Sequence, residues 1–533
     1  MSLDDLEAMR TNNTAYNGLS VAASNGFTPI AELKRAAINA YVWQVLKNHV
    51  DKGTYTRDGN GFHFKRKLPR VQTDPDLSKV PRTYTLTPPT FDGNNLAGGG
   101  NLTTEQSKGV QYADDNSDDI FINQHNFAEG FQQVSNRIDR ALEPWLSLPD
   151  PNPILDELKG SDGHFKKAYD LLAVEGGDGK VTGNSDLASC LSTLTKDHGE
   201  AMSGAAWYAF RKDYVHAMPG AVNGNFQLLC AGGSALAGEQ QIFVKAREGV
   251  VNIVESATGV FSKVAIPVTA KPGLKVSTVA AIGAAVVAAV ATVATGTAGT
   301  AGVTLAVGGA GLQIVDKVAD DREEVSKTDN NGNYDGAMDA FEGCLKDLNE
   351  EIKKREGELK AKLDYNVANI TGKNASGGKD APTEEQRLNA EKPYGVNFDA
   401  IDPKNGGTLS MKKDENGNNG IEVKEGVIRV DLPGIERNLL DAAEAVRQHG
   451  QLCGGLIKRD SRIGIGAEGA NDNTLMVFLN KFVNELATET NLAKRNLELT
   501  VESLETQDAA SAAELEKVIA DINEREKRSV LPE

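Results

Sequence analysis

Apolar residues recur every three or four positions through most of this chain, so the pattern predicts a mainly α fold. Over Thr28 to Val50, Ile30, Leu33, Ala37, Ala40, Tyr41, Val42 and Leu46 share one helical face, and Pro29 suits the first turn. The period then changes. Thr54-Tyr55-Thr56 and Phe62-His63-Phe64 flank Asp58-Gly59-Asn60-Gly61, which predicts a small β-hairpin. Pro88 to Ser117 is rich in Gly, Asn and Asp and reads as a linker. Helical spacing returns with Phe127, Phe131, Val134, Ile138 and Leu142, and Pro144, Pro149 and Pro151 close that helix. Further helices are expected over Ile154 to Leu172 and from about Ser185, where Leu187, Cys190, Leu191 and Leu194 repeat. Ser203-Gly204 then lets two helices turn back on each other, with Trp207 and Phe210 covering the crossing. The second helix carries Phe210, Tyr214 and Met218, kinks or breaks at Pro219-Gly220, and resumes towards Val254.

The next stretch is different in kind. Between Lys275 and Asp316 no residue is charged, and Ala, Val, Gly and Thr predominate. Val279 to Val293 reads as one helical arm, Gly296 to Gly302 as a turn, and Val303 to Val315 as a second arm. Gly283, Gly296, Gly299 and Gly302 are small positions at which such arms pack closely. Two readings stand side by side. One is an apolar hairpin clasped by the long helices; the other is a membrane-inserting hairpin over residues 276–315. Arms of about 13 to 17 residues are short against the roughly 20 a span needs.

Beyond a polar break, Phe341, Leu345, Leu348, Ile352 and Leu359 follow heptad spacing from Met338 to Leu363, with Arg355 on the seam. Thr371 to Asn419 is polar and reads as a linker. A short strand-like run with Val423, Val427, Ile428 and Val430 ends at Asp431-Leu432-Pro433. A helix with Ile435, Leu439, Ala442, Val446 and Cys453 on one face follows, then a loop over Lys458 to Asn471. A long helix from about Asp472 to Arg528 carries Leu475, Leu479, Phe482, Leu486, Ala493, Leu497, Val501 and Leu504 as its stripe, giving an antiparallel hairpin. The chain thus divides into residues 1–117 (helix, β-hairpin, linker), 118–260 (helical), 261–320 (Gly/Ala-rich hairpin), 334–366 (amphipathic helix), 367–420 (linker) and 421–533 (C-terminal hairpin). The expected class is mainly α, built of antiparallel helical hairpins and bundles with long helices, an apolar Gly/Ala-rich hairpin and a small α+β N-terminal region.

Charge and chemistry narrow the functions. A net charge of -18 argues against nucleic-acid binding, which needs basic surface. Lys65, Arg66, Lys67 and Arg70 form the one dense basic cluster and read as a solvated strand end or, alternatively, as a surface for an acidic partner. Glu175 to Val181 has the composition of a calcium loop, but Val174 occupies the first ligand position, so no EF-hand is expected. The four cysteines are single and far apart, without a Cys-x-x-Cys pair, and read as buried small apolar residues. The seven histidines are scattered, and no nucleophile elbow or phosphate loop is present. No catalytic residue, metal site or cofactor is expected. The start, Met1-Ser2-Leu3-Asp4-Asp5, lacks the basic and apolar regions of a Sec or Tat signal.

Two stretches resemble known families. Met202-Ser203-Gly204-Ala205-Ala206-Trp207-Tyr208-Ala209-Phe210 resembles the junction of WXG100-type proteins, the helical-hairpin substrates of bacterial type VII (ESX) secretion. Gly204, Ala206 and Phe210 fall in register with Trp-x-Gly-x-Ala-Ala-x-x-Phe; Met202 stands where the family has Trp, and Trp207 lies five residues on. The C-terminal hairpin resembles the ESX-1-type excreted proteins. Val430-Asp431 and Ile435 match their Val-Asp-x-x-x-(Ile/Leu) entry. Leu504-Glu505-Thr506-Gln507-Asp508 takes the place of their Tyr-x-x-x-Asp secretion signal, with Leu504 where the family has Tyr. The resemblance implies a large actinobacterial type VII substrate, secreted or held in the cell envelope by a route independent of a signal peptide. Its partners would be the secretion machinery or a small helical protein, with Gly204, Trp207, Phe210, Leu504 and Asp508 as contact residues. The expectation is a non-enzymatic structural, interaction or effector protein, with homo-oligomer contact open to the Gly/Ala segment. The alternatives are a pore-type effector that inserts residues 276–315 into a membrane, and a cytoplasmic helical scaffold.

Overall fold

Helix α1 (Pro29–Leu46) begins where the sequence places it, because Thr28 Oγ1 accepts the Ala31 N–H at 3.0 Å and Pro29 fills the first turn. The structure is a computed structural model, and it describes residues 13–23, 26–66, 79–80, 82–105, 111–112, 117–174, 185–196, 202–204, 210–265, 274–278, 325–329, 333–370, 409–411, 427–465 and 474–529. These are mainly helical, with a small sheet near the N-terminus. The calcium-like loop, Trp207, the two expected Gly/Ala arms with Gly283, Gly296, Gly299 and Gly302, and most of the 371–419 linker lie outside them.

Strands β1 (Thr56–Asp58) and β2 (Gly61–Lys65) form the expected hairpin. The region expected as a linker from Pro88 is instead largely β. β3 (Thr83–Leu86) pairs with β2, placing Phe62 opposite Leu86 and Phe64 opposite Tyr84. β4 (Thr90–Asp92) and β5 (Asn95–Gly98) make a second hairpin, with Gly93 at φ 55, and β6 (Leu102–Thr104) joins the edge of β3. These strands are so short that turn residues dominate the local composition. Trp43 of α1 meets Tyr55 at 5.0 Å between centroids, and Phe64 stacks on Tyr84 at 5.7 Å, so aromatic rings join the sheet to the helical body. The basic cluster is corrected at one member. Arg66 is buried, its Nη1 2.8 Å from Oδ2 of the equally buried Asp119, whose Oδ1 accepts the Tyr84 hydroxyl at 2.5 Å.

Helices α2 (Ser117–Gln124), α3 (Phe127–Leu142), α4 (Pro151–Lys159), α5 (His164–Leu172) and α6 (Asp186–Lys196) follow. The turn expected at Met202–Gly204 is instead a strand, β7, which pairs antiparallel with a strand at Leu409–Met411. Pairing with that distant edge satisfies the backbone that a turn would have left to water. Accordingly α6 packs against the C-terminal hairpin, where Cys190 Sγ would lie 2.7 Å from a Cβ added to Gly434. Phe210–Val215 forms a π-helical turn, in which the His216 N–H reaches the Arg211 carbonyl at 2.9 Å. The break at Pro219 is present, with the proline in the first turn of α7 (Met218–Val264).

Helix α7 is the axis of the molecule, touching α1, α4, α5 and both later long helices. Its composition permits this. A Cβ on Gly233 would sit 2.3 Å from the Phe165 ring, and one on Gly232 2.1 Å from Met476 Cε, so two neighbours press onto bare backbone. After α7 the chain enters β8 (Leu274–Thr278), which pairs residue for residue with β9 (Val325–Asp329), from Leu274 opposite Asp329 to Thr278 opposite Val325. Helix α8 (Tyr334–Ile370) then returns along α7, burying Met338, Phe341, Leu345, Leu348, Ile352, Leu359 and Leu363, the expected heptad seam.

After β10 (Leu409–Met411), Val427–Asp431 is a π-helical turn, not the expected strand, and it runs straight into α9 (Leu432–Leu456). Val427 and Ile428 are buried in this turn, against α6. Helix α10 (Thr474–Ser529) closes the hairpin. Met476 lies on Gly450 late in α9, while Asn491 Nδ2 donates to Glu436 Oε1 at 2.6 Å early in α9, so the two helices are antiparallel. Buried side chains from Tyr16 to Leu497 form one continuous core across the N-terminal region, the long helices and the C-terminal hairpin.

Candidate functional site

Three observations set the C-terminal hairpin apart: how it is anchored, how far it projects, and what its projecting part exposes. The first anchor is a buried cluster of Glu157, His449 and Cys453. Cys453 follows His449 by one helical turn on α9, so both side chains lie on one face. His449 Nδ1 is 2.8 Å from Glu157 Oε1, and Cys453 Sγ is 3.5 Å from His449 Nε2. Glu157 also accepts the N–H of Phe165 at 2.9 Å and of His164 at 3.2 Å, capping the start of α5. Burial opposes charge on both partners. The imidazole and two N–H groups nevertheless hold the Glu157 carboxyl below its ordinary value. Burial of His449 is likewise outweighed by Cys453 and Glu157, and the imidazole rises to about 9. The three groups resemble a nucleophile–base–carboxylate order, but all are buried, and the carboxylate is committed to a helix start. The cluster is a clasp joining α4, α5 and α9.

A second anchor grips the loop after α9. Arg459 forms a close ion pair with Glu356 of α8, donates to the carbonyls of Ile457 and Ile463, and stacks over Phe243 of α7 at 5.1 Å. Glu356 Oε2 accepts the Ile465 N–H at 2.7 Å. Gly464, at φ 64, comes so close that a Cβ would lie 2.1 Å from that oxygen. Asn349 adds hydrogen bonds to Gly464 N at 2.7 Å and Arg462 O at 2.8 Å. Glu239 of α7 completes the cluster. Burial first, and then Glu356, push its carboxyl well up against the opposing pull of Arg459.

The projection follows from length. At 1.5 Å per residue α9 is about 37 Å long and α10 about 84 Å. Among the described side chains of α10 the last buried one is Leu497, Val501 is half-buried, and those from Ala509 to Asp521 are exposed. Leu515, Val518 and Ile519 are 62 %, 57 % and 50 % exposed on this free half.

The expected contact residues are dispersed over this frame. Gly204 lies in β7, and Phe210 is buried in the π-helical turn, stacked on Tyr214 at 5.2 Å. Tyr214 donates to Thr490 Oγ1 of α10 at 3.0 Å, which ties this turn to the hairpin. Leu504 and Asp508 fall in α10 just past its packed half. Sequence spacing holds the His449–Cys453 pair, but nothing in it points to Glu157, 292 residues away. None of the four cysteines is in a disulfide; Cys344 and Cys453 are buried and the other two half-buried. Among the described residues no group of three or more His, Cys, Asp or Glu is placed to hold a metal ion, and no helix is long and apolar enough to cross a membrane. No protein-family model, curated protein or solved structure matches the chain.

Proposed function

We propose that this chain is a non-enzymatic substrate of type VII secretion that acts through its helical hairpins as an interaction or effector protein. The observation that carries this reading is the C-terminal hairpin. It is clasped to the body by two buried polar clusters while more than a third of α10 stands clear of its partner helix. The stretch corresponding to the family's secretion signal, Leu504 to Asp508, belongs to α10 beyond Leu497, the last buried residue described in that helix. The resemblance of Val430-Asp431 and Ile435 to the family entry motif marks the other end of the same hairpin. Fractionation of the native host with and without a working type VII ATPase tests it. The tagged chain is expected in culture filtrate or envelope only when the ATPase works, and Asp508→Ala is expected to reduce export. Cytosolic retention in both strains overturns the reading in favour of a scaffold.

A second reading is favoured by the ribbon of β8 and β9. It brings Thr278 and Val325, the described residues on either side of the stretch 279–324, side by side and beside two long helices. That is a suitable mounting for a membrane-inserting segment. Dye release from anionic liposomes is the expected result; intact liposomes across the pH range, with folded protein, would exclude it.

A further inference from the structure

The apolar line on α10 does not stop where α9 stops. Ala493, Leu497, Val501 and Leu504 follow helical spacing; Asp508 and Ser511 keep that spacing but are polar, and apolar residues return at Leu515, Val518 and Ile522. The line is buried at Ala493 and Leu497, and beyond the polar interruption Leu515 and Val518 are exposed, with Ile519 beside them. An exposed apolar seam on a regular helix gains about 25 cal/mol for each Å² that a second surface removes from water.

The flanks decide which surface that is. Between residues 497 and 524 the sequence carries eight acidic residues and one basic residue, Lys517. Glu498, Glu502, Glu514 and Glu516 are exposed beside the seam. A second copy of this helix would set like charges against each other along the seam. An anionic membrane or a nucleic acid meets the same repulsion. A helix with an apolar stripe bordered by Lys or Arg satisfies both the seam and its acidic borders. We infer that the projecting half of α10 docks an amphipathic helix of a partner protein whose apolar stripe is flanked by basic residues. This rests on the reading of the C-terminal hairpin as a recognition element and adds the chemistry of its partner.

Two synthetic helical peptides of about four heptads, with Leu at the seam and either Lys or Glu on the flanks, are titrated against the purified full chain. The Lys-flanked peptide is expected to bind at least about tenfold tighter than the Glu-flanked one. A triple variant, Leu515→Gln with Val518→Gln and Ile519→Gln, is expected to melt as the parent does and to lose about tenfold in affinity for the Lys-flanked peptide. Three results overturn the inference: no binding of either peptide, equal binding of both, or full binding by the triple variant. A dimer of the chain that the triple variant dissolves does so too, because a second copy would then be the occupant. Purified components make every one of these outcomes independent of whether the chain is exported.

Discussion

At the scale of single residues, the polar side chains that matter most are buried. His449 and Glu157 form an ion pair with almost no contact with water, and each is shifted towards its charged form. The sign of the pH dependence follows. The histidine, raised from 6.5, contributes stability that is complete below 6.5 and fades as pH climbs towards about 9. The glutamate, lowered from 4.5, contributes stability that is complete above 4.5 and fades in acid. The pair therefore contributes most between 4.5 and 6.5. Replacing His449 by Gln should cost about 3 kcal/mol in that window, measured by denaturant unfolding, and progressively less as pH rises from 6.5 towards about 9. A loss that is flat across the range would mean that shape, not charge, holds the clasp. Glu157 also shows why this site was illegible beforehand. The one-turn spacing of His449 and Cys453 is visible in the sequence, but their third member comes from another helix, and only the tertiary fold brings it there.

At the scale of elements, legibility followed periodicity. The helical spacing of α1, α8 and α10 runs over many turns, and most of the apolar residues expected to pack are buried, with Tyr41 and Val501 only half-buried. Strands β4 to β6 are too short to show a period among their turn residues, so a linker was the natural expectation. β7 and β10 were hidden for another reason: a three-residue strand acquires its identity from a partner on the far side of the Gly/Ala-rich segment. The WXG100-like turn at Gly204 failed there, since local permissiveness of Ser-Gly lost to strand pairing. The ribbon of β8 and β9 is open to a direct check. Ser277 faces Ser326 across it. Oxidation of a Ser277→Cys, Ser326→Cys chain should yield an intramolecular disulfide joining the two peptides, identified by mass spectrometry, since facing Cβ atoms come within about 4.5–5.5 Å. Recovery of both peptides unlinked would contradict the register.

At the scale of the whole molecule, one long core helix, α7, gathers the N-terminal region, the returning helix α8 and the C-terminal hairpin into a shared core. The hairpin is fixed at its packed end and free at its far end, and the proposed function draws on that division. Hydrogen exchange of the intact chain measures it directly. The amides of residues 475–497 are expected to exchange at least about 100-fold more slowly than those of residues 509–521, because only the first set is held by tertiary packing. Equal and strong protection along all of α10 would contradict the account, since the far half would then be packed and unavailable to a partner.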